Sequence, residues 1–359
     1  MTRPFRKVTI IFLPLIFILS SLLTACERPV PETIHASKEQ QTPSDTSPDL
    51  NAICENLKKE MLQINAQRTT LALEQVNQDL RMCLSFLEFP EQKKLMQLSE
   101  DMYQQFLEVQ RTPAQQKAFE TYALDQSLYP TIQQSHFEQL NIRDQYLLKH
   151  KGQAYVELIE QDKNQVSYRR SPQYLAKVFA PYLPDAESEF IEELARQNLE
   201  AFEYNDRLKI TTDEIIRRAQ FWEEYQKRFP SSSYVKDAQY LSQIYTALLF
   251  KGLDASPLSE HYDGLDDLSP TTLSEIKQLA QQKNSVLADQ ARKFIIFMQM
   301  SHEQRQLKIP LNHPLDQNTH AHELTQAQLS QYLNLKNIDF SDKAKKDCFS
   351  DAVCQIRSS

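Results

Sequence analysis

The chain has 359 residues, 40 basic and 48 acidic side chains, a formal charge of −8 and only three glycines, Gly152, Gly252 and Gly264. Phosphate-cradling loops need glycines at fixed offsets, and glycine-dependent turns are a mainstay of hairpin-rich β folds, so neither class fits. There is no long basic run to neutralise phosphates, which argues against a nucleic-acid partner.

Residues 1–25 read as a leader. Arg3, Arg6 and Lys7 form a basic start, an apolar run extends from Val8 to Leu19, and Leu23-Thr24-Ala25-Cys26 follows. That run is short for a membrane span of about 20 residues. Small residues before a cysteine fit a signal-peptidase site. The tetrad resembles the bacterial lipobox, which implies cleavage before Cys26 and lipidation of its thiol. Glu27, rather than aspartate, follows the cysteine. By similarity to Gram-negative lipoproteins, that implies sorting to the periplasmic side of the outer membrane. Losing the leader removes three basic residues and no acid, so the formal charge falls to about −11. Residues 26–48 carry Pro29, Pro31, Pro43 and Pro48 among polar residues and are expected to form a lipidated, disordered tether.

The remainder reads as mostly α, built of antiparallel helical hairpins. An N-terminal helical domain is expected over 49–150, a helical-repeat domain over 151–305 and an extension over 306–359. Leu50, Ile53, Leu57, Met61 and Ile64 form one stripe; Leu73, Val76, Leu80, Cys83, Leu84 and Leu87 form its partner. Helices are expected over 91–110, 113–125 and 133–148, with Pro113 in a first turn and a break at Tyr129-Pro130. Ala154–Ile159 and Gln165–Arg169 flank Asp162-Lys163-Asn164 and predict a small β-hairpin.

From 172 the pattern becomes repetitive. Tyr174 to Tyr182 gives one stripe, answered by Phe190, Ile191, Leu194 and Phe202. Ile215, Ala219, Trp222, Tyr225 and Phe229 are answered by Val235, Ala238, Leu241, Tyr245 and Leu248, and a third pair spans Leu273–Met298. Units of this kind bury their apolar faces by stacking. Trp222, Tyr225, Phe229 and Ala238, with the Phe229-Pro230-Ser231-Ser232 turn, resemble a tetratricopeptide repeat. Gln226, Tyr245 and Phe250 depart from that pattern. Trp222 and Phe229 are both expected to be buried. A similar turn occurs in periplasmic repeat proteins, including outer-membrane assembly lipoproteins. The resemblance implies a scaffold or assembly accessory that binds another envelope protein or peptide, attached to the membrane by its lipid and needing no cofactor. A deep pocket with converging polar groups would instead favour a hydrolase or carrier for cell-wall or lipid material.

No nucleophile–base constellation is evident, and no catalytic residue is assigned. His313, His320 and His322, near Asp316 and Glu323, lack a completing cysteine pair and are read as a polar connector rather than a metal site. Glu187-Ser188-Glu189 and Asp213-Glu214 lie at helix starts, where carboxylates complement the dipole. Glu192-Glu193 and Glu223-Glu224 fit solvated faces, and Arg169-Arg170 and Arg217-Arg218 fit surface ion pairs. Tyr234 and Tyr240 are the candidate binding surface, because they fall off the packing stripe where aromatic anchors could line a concave face. Export leaves Cys54, Cys83, Cys348 and Cys354 to oxidise, with three possible pairings. The favoured one joins Cys54 to Cys83 and Cys348 to Cys354. The first two lie at similar distances from a turn near Gln67 and Arg68, and so side by side in an antiparallel pair.

Overall fold

The computed structural model describes residues 50–128, 134–161, 165–312, 321–336 and 347–354. Cys26, His313 and His320 lie outside the described residues, as does the whole of the leader and tether. Pro48–Ser359 form one compact unit. The main apolar core runs from Cys54 to Cys354, so it crosses both expected boundaries, at 150 and at 305.

The chain is mostly helical. Helices α1 (Leu50–Gln63) and α2 (Thr70–Leu84) form the expected hairpin. Thr69 caps α2 by accepting the Ala72 N–H at 3.4 Å. Cys54 is bonded to Cys83, with a Cα separation of 5.6 Å. Helix α3 (Phe89–Phe106) begins with Pro90 in its first turn and buries Leu95, Met96, Met102, Tyr103 and Phe106. Pro113 opens α4 (Pro113–Leu128). The single helix expected over 133–148 is two pieces, α5 (Gln134–Phe137) and α6 (Ile142–Lys149). Asn141 divides them, because its side chain accepts the Arg143 N–H at 2.8 Å and caps α6.

Strands β1 (Val156–Gln161) and β2 (Gln165–Arg170) pair antiparallel, Val156 opposite Arg170 and Gln161 opposite Gln165. Short helix α7 (Gln173–Val178) and a 3₁₀ turn at Ala180–Tyr182 precede α8 (Asp185–Gln197). A second tight hairpin follows, β3 (Glu203–Tyr204) with β4 (Arg207–Leu208). Asn205 and Asp206 both take positive φ in its turn, the conformation a two-residue hairpin demands. Helices α9 (Thr212–Arg228) and α10 (Val235–Lys251) come next, then β5 (Gly252–Leu253) with β6 (Ser256–Pro257). Gly252 has φ +75°, and a Cβ there would meet Ser256 O at 2.4 Å, so only glycine serves. Helices α11 (Pro270–Ala280), α12 (Val286–Met298), α13 (His302–Lys308) and α14 (Ala321–Leu333) complete the helical part.

A β-hairpin thus precedes each of the helix pairs α7–α8, α9–α10 and α11–α12. Neighbouring hairpins are bridged: Tyr204 OH donates to Glu160 Oε1 at 2.8 Å, and Leu208 N–H donates to Ser256 Oγ at 2.9 Å. The two later hairpins were not expected from sequence, because strands of two residues carry no period-two pattern. The Asn205-Asp206 pair was the available signal.

The C-terminal loop is part of the core. Cys348 is bonded to Cys354. Arg170 Nη2 meets Asp351 Oδ2 at 2.6 Å and Glu100 Oε2 at 2.7 Å, and its guanidinium lies 4.8 Å from the Tyr174 ring centroid. Asn198 Nδ2 donates to Cys348 O at 2.9 Å and Asp351 O at 2.6 Å. One buried arginine therefore ties α3, β2 and the last described segment together.

Candidate functional site

Tyr234 and Tyr240 do not line an open face. Tyr234 is 5% exposed, and its ring stacks on Phe190 at 4.6 Å. It stands at the cap of α10 rather than on that helix's outer side, and burial raises its phenol pKa. Tyr240 is half-buried, with its ring 6.2 Å from Phe349, which packs in turn 5.1 Å from Phe202. The loop bearing Cys348 covers that side of α10, a contact between distant segments that helical periodicity cannot reveal.

Trp222 is fully buried between α8 and α9. Its ring lies 5.0 Å from Phe190, and Nε1–H donates to Gln197 Oε1 at 3.1 Å. Phe229, expected to be buried, is half-buried, because it sits past the end of α9 as its C-cap.

Glu223 and Glu193, read as solvated, are structural links, and so is Glu187, which stands in the first turn of α8 as expected. Glu223 reaches from α9 to the start of α12, accepting the Val286 N–H at 2.8 Å, Ser285 Oγ–H at 2.8 Å and the Leu287 N–H at 3.3 Å. Glu187 does the same for the α9–α10 turn, accepting the Ser233 N–H at 3.0 Å and Ser232 Oγ–H at 3.2 Å. Glu193 holds Arg196 and Gln197, while Glu192 and Glu224 are exposed as expected. Arg170 and Arg218 are buried, not surface partners; Arg218 donates to Glu214 Oε1 at 2.6 Å and Tyr245 OH at 3.1 Å. A side chain reaching another hairpin is indistinguishable in sequence from one reaching water.

His322 sits beside Gln326, its Nε2 at 2.8 Å from the amide nitrogen, with its ring 6.0 Å from Tyr262. Among the described residues no three His, Cys, Asp or Glu side chains gather as metal ligands.

Two of the larger clefts among the described residues carry polar groups. One, of about 200 Å³, lies between the β5–β6 hairpin and α14, with Lys251, Asp254, Asp206, Gln326 and Lys336 on its walls. Burial lowers the Lys251 pKa, and Asp254 partly offsets this. The other, of about 220 Å³, lies between α2 and the segment before β1. There Ala154 and Tyr155 take positive φ, held by Tyr103 OH donating to Ala154 O at 2.7 Å and Arg81 donating to Tyr155 OH at 3.3 Å. Both fall short of the roughly 300–1,000 Å³ usual for small-molecule sites.

The more informative surface is apolar and lies on the first hairpin and its neighbour α6. The Cys54–Cys83 bond pins the N-terminal end of α1 to the C-terminal end of α2. Beside it stand Ile53, Met82 and Phe86, 36%, 53% and 62% exposed. The opposite end carries Leu62, Leu71 and Ile142, 63%, 71% and 83% exposed. Ile142 belongs to that end because Tyr146, one turn further along α6, has its hydroxyl 2.7 Å from the Thr70 backbone nitrogen. At a rise of about 1.5 Å per residue the two ends are roughly 12–18 Å apart. Leu62, Leu71 and Met82 fall off the buried stripes of their helices, a misfit legible in sequence, and Phe86 lies in the turn after α2.

No protein-family model matches the chain, and comparison with curated proteins and solved structures finds no similar one.

Proposed function

We propose that this is an exported lipoprotein, cleaved before Cys26, attached by lipid to the periplasmic face of the outer membrane, and acting there as a scaffold or assembly accessory that binds another envelope protein or peptide. The cysteine arrangement carries the reading. Of five cysteines, four form two disulfides, and the one left over stands in the Leu23-Thr24-Ala25-Cys26 tetrad behind a basic and apolar leader. Disulfides persist in oxidising compartments such as the periplasm and are rare in cytosolic chains. No described helix is long and apolar enough to cross a membrane; on this reading acyl chains on Cys26 supply the attachment, and two or more such chains hold stably.

The scaffold role is supported by helical hairpins stacked on one another and by the aromatic pattern of α9–α10, which resembles a tetratricopeptide unit. Leu62, Leu71 and Ile142 are the surface offered to the partner, since apolar side chains gathered at one end are a usual mark of a docking site. Placing a photo-crosslinking residue at Leu71 or Ile142 in intact cells tests this. The expected result is one dominant envelope protein captured at both positions and lost when the other position is changed to aspartate. Capture of no discrete protein at either position contradicts it.

A further inference from the structure

We propose that the cleft between α2 and the segment before β1 binds a short unblocked peptide, two or three residues long, as its zwitterion. Glu74 takes the ammonium end and Arg81 the carboxylate end. Such binding requires neither Cys26 nor the apolar surface at Leu62, Leu71 and Ile142. Glu74, Asn77 and Arg81 line the cleft from α2, and their spacing of three and four residues puts them on one face of that helix. Glu74 and Arg81 are seven residues apart, about 10 Å along the axis, too far to pair with each other. Among the described residues Glu74 has no hydrogen-bond or ion-pair partner, and Arg81 has no carboxylate partner; its guanidinium donates to Tyr155 OH at 3.3 Å. The cleft therefore holds one negative and one positive group, each without a counter-charge.

Between those two charges lies a buried acceptor that lacks a donor. Asn77 Nδ2–H donates to Tyr103 OH at 3.1 Å, and Tyr103 OH donates in turn to Ala154 O at 2.7 Å. Tyr103 gives its only proton to Ala154, so it can only accept from Asn77. The amide nitrogen of Asn77 must then face Tyr103, which fixes its oxygen on the other side. That Oδ1 is buried without a hydrogen-bond partner, on a side chain only 3% exposed. Buried acceptors of this kind are nearly always paired. The facing wall, joined to Asn77 through the Tyr103 hydroxyl, is strained: Ala154 and Tyr155 take φ of +44° and +61° in succession. Strain in non-glycine residues concentrates at ligand clamps and active sites. A peptide N–H lying between Glu74 and Arg81 supplies the donor that Asn77 lacks.

Charge and size select the ligand. A simple anion would be repelled by Glu74 and a metal ion by Arg81. A molecule with both charges and a polar middle meets a partner at each point, and a guanidinium is suited to bidentate contact with a carboxylate. A peptide extends by at most about 3.3–3.6 Å per residue, so two or three residues cover the distance from Glu74 to Arg81. The cleft volume of about 220 Å³ takes a ligand of that size.

The test is isothermal titration calorimetry of the full-length chain with dialanine and trialanine, each unblocked, N-acetylated or C-amidated. The expected result is saturable binding of the unblocked peptides, weakened about tenfold or more by either block, as for loss of one charge-assisted contact. In Arg81→Gln the amidated and unblocked peptides should bind alike while acetylation still weakens binding, and in Glu74→Gln the reverse should hold. Both positions are only partly buried, and thermal melts of the two variants check that they fold. No binding of the unblocked peptides at millimolar concentration overturns the proposal. Equal binding of blocked and unblocked forms to the wild type also overturns it and leaves the cleft to a neutral polar ligand; that comparison needs no variant.

Discussion

Glu223 Oε1 accepts the backbone N–H of Val286 at 2.8 Å, so a side chain in the middle of α9 closes the first turn of α12. Stacked hairpins in this chain are joined by carboxylates that satisfy the open N–H groups of a neighbouring helix, as well as by apolar burial. Glu223→Ala is expected to cost about 1–2 kcal/mol, the range of a lost N-terminal cap.

That link also has a pH dependence. Burial alone would raise the Glu223 pKa, but hydrogen bonds from Lys227, Ser285 and the N–H groups of Val286 and Leu287 outweigh it, and the net shift is downward. A carboxyl with a depressed folded pKa binds fewer protons than its unfolded counterpart. Its contribution is present in full above the unfolded value of about 4.3 and is lost as pH falls through the lower folded value. Urea unfolding at about pH 5 and pH 3 should show a larger loss for the wild type than for Glu223→Gln. Equal losses would remove Glu223 from the acid limb.

Arg170 is the second such link, and here the loss should be larger. Burial alone would lower its pKa, yet the carboxylates of Asp351 and Glu100 more than offset this and hold the guanidinium charged. Arg170→Leu strands two carboxylates at a packed junction. Because both keep some solvent access, the expected cost is about 3 kcal/mol, the low end for a broken buried pair. Asp351→Ala should cost less, since Glu100 still pairs with the arginine. Chemical denaturation of the two variants checks that order.

Trp222→Ala should cost about 3–5 kcal/mol, because the ring is fully buried against Phe190 and its N–H is bonded to Gln197. Phe229→Ala should cost clearly less, since Phe229 is a half-buried cap residue. Thermal melts of the two variants side by side test the difference.

Much of this was legible in sequence for a simple reason. Helical stripes report which face packs, and α2, α10 and α12 follow theirs, whereas Ile53 on the expected stripe of α1 is exposed and Phe229 on that of α9 is half-buried. The first β-hairpin was legible from β-branched and aromatic residues around a polar turn. What stayed hidden depends on contacts between distant segments. Tyr240 looked free because nothing local to α10 says that Phe349 lies across it. Glu223 looked solvated because its partner is 63 residues away. Arg170 read as a surface charge because Glu100 and Asp351 approach it only in the folded chain. The surface offered for binding was present in the pattern as apolar residues out of phase with their stripes, and Leu62 and Leu71 are the clearest.

Pairing of the cysteines gives a covalent check. Cys54 with Cys83 closes a loop of 29 residues and Cys348 with Cys354 a loop of 6. On the chain-entropy model, replacing the first pair with serines should cost about 3–4 kcal/mol and the second about 2. Non-reducing peptide mapping should return these two linkages, and a peptide joining Cys54 to Cys348 would contradict the arrangement.

Metabolic labelling with an alkyne palmitate, followed by membrane fractionation, tests the proposed attachment through Cys26. The wild-type chain should carry the label and travel with the outer membrane, and Cys26→Ala should carry none and leave that fraction. A Cys26→Ala chain that still labels and still fractionates with the outer membrane, or a wild type that never labels, would contradict it.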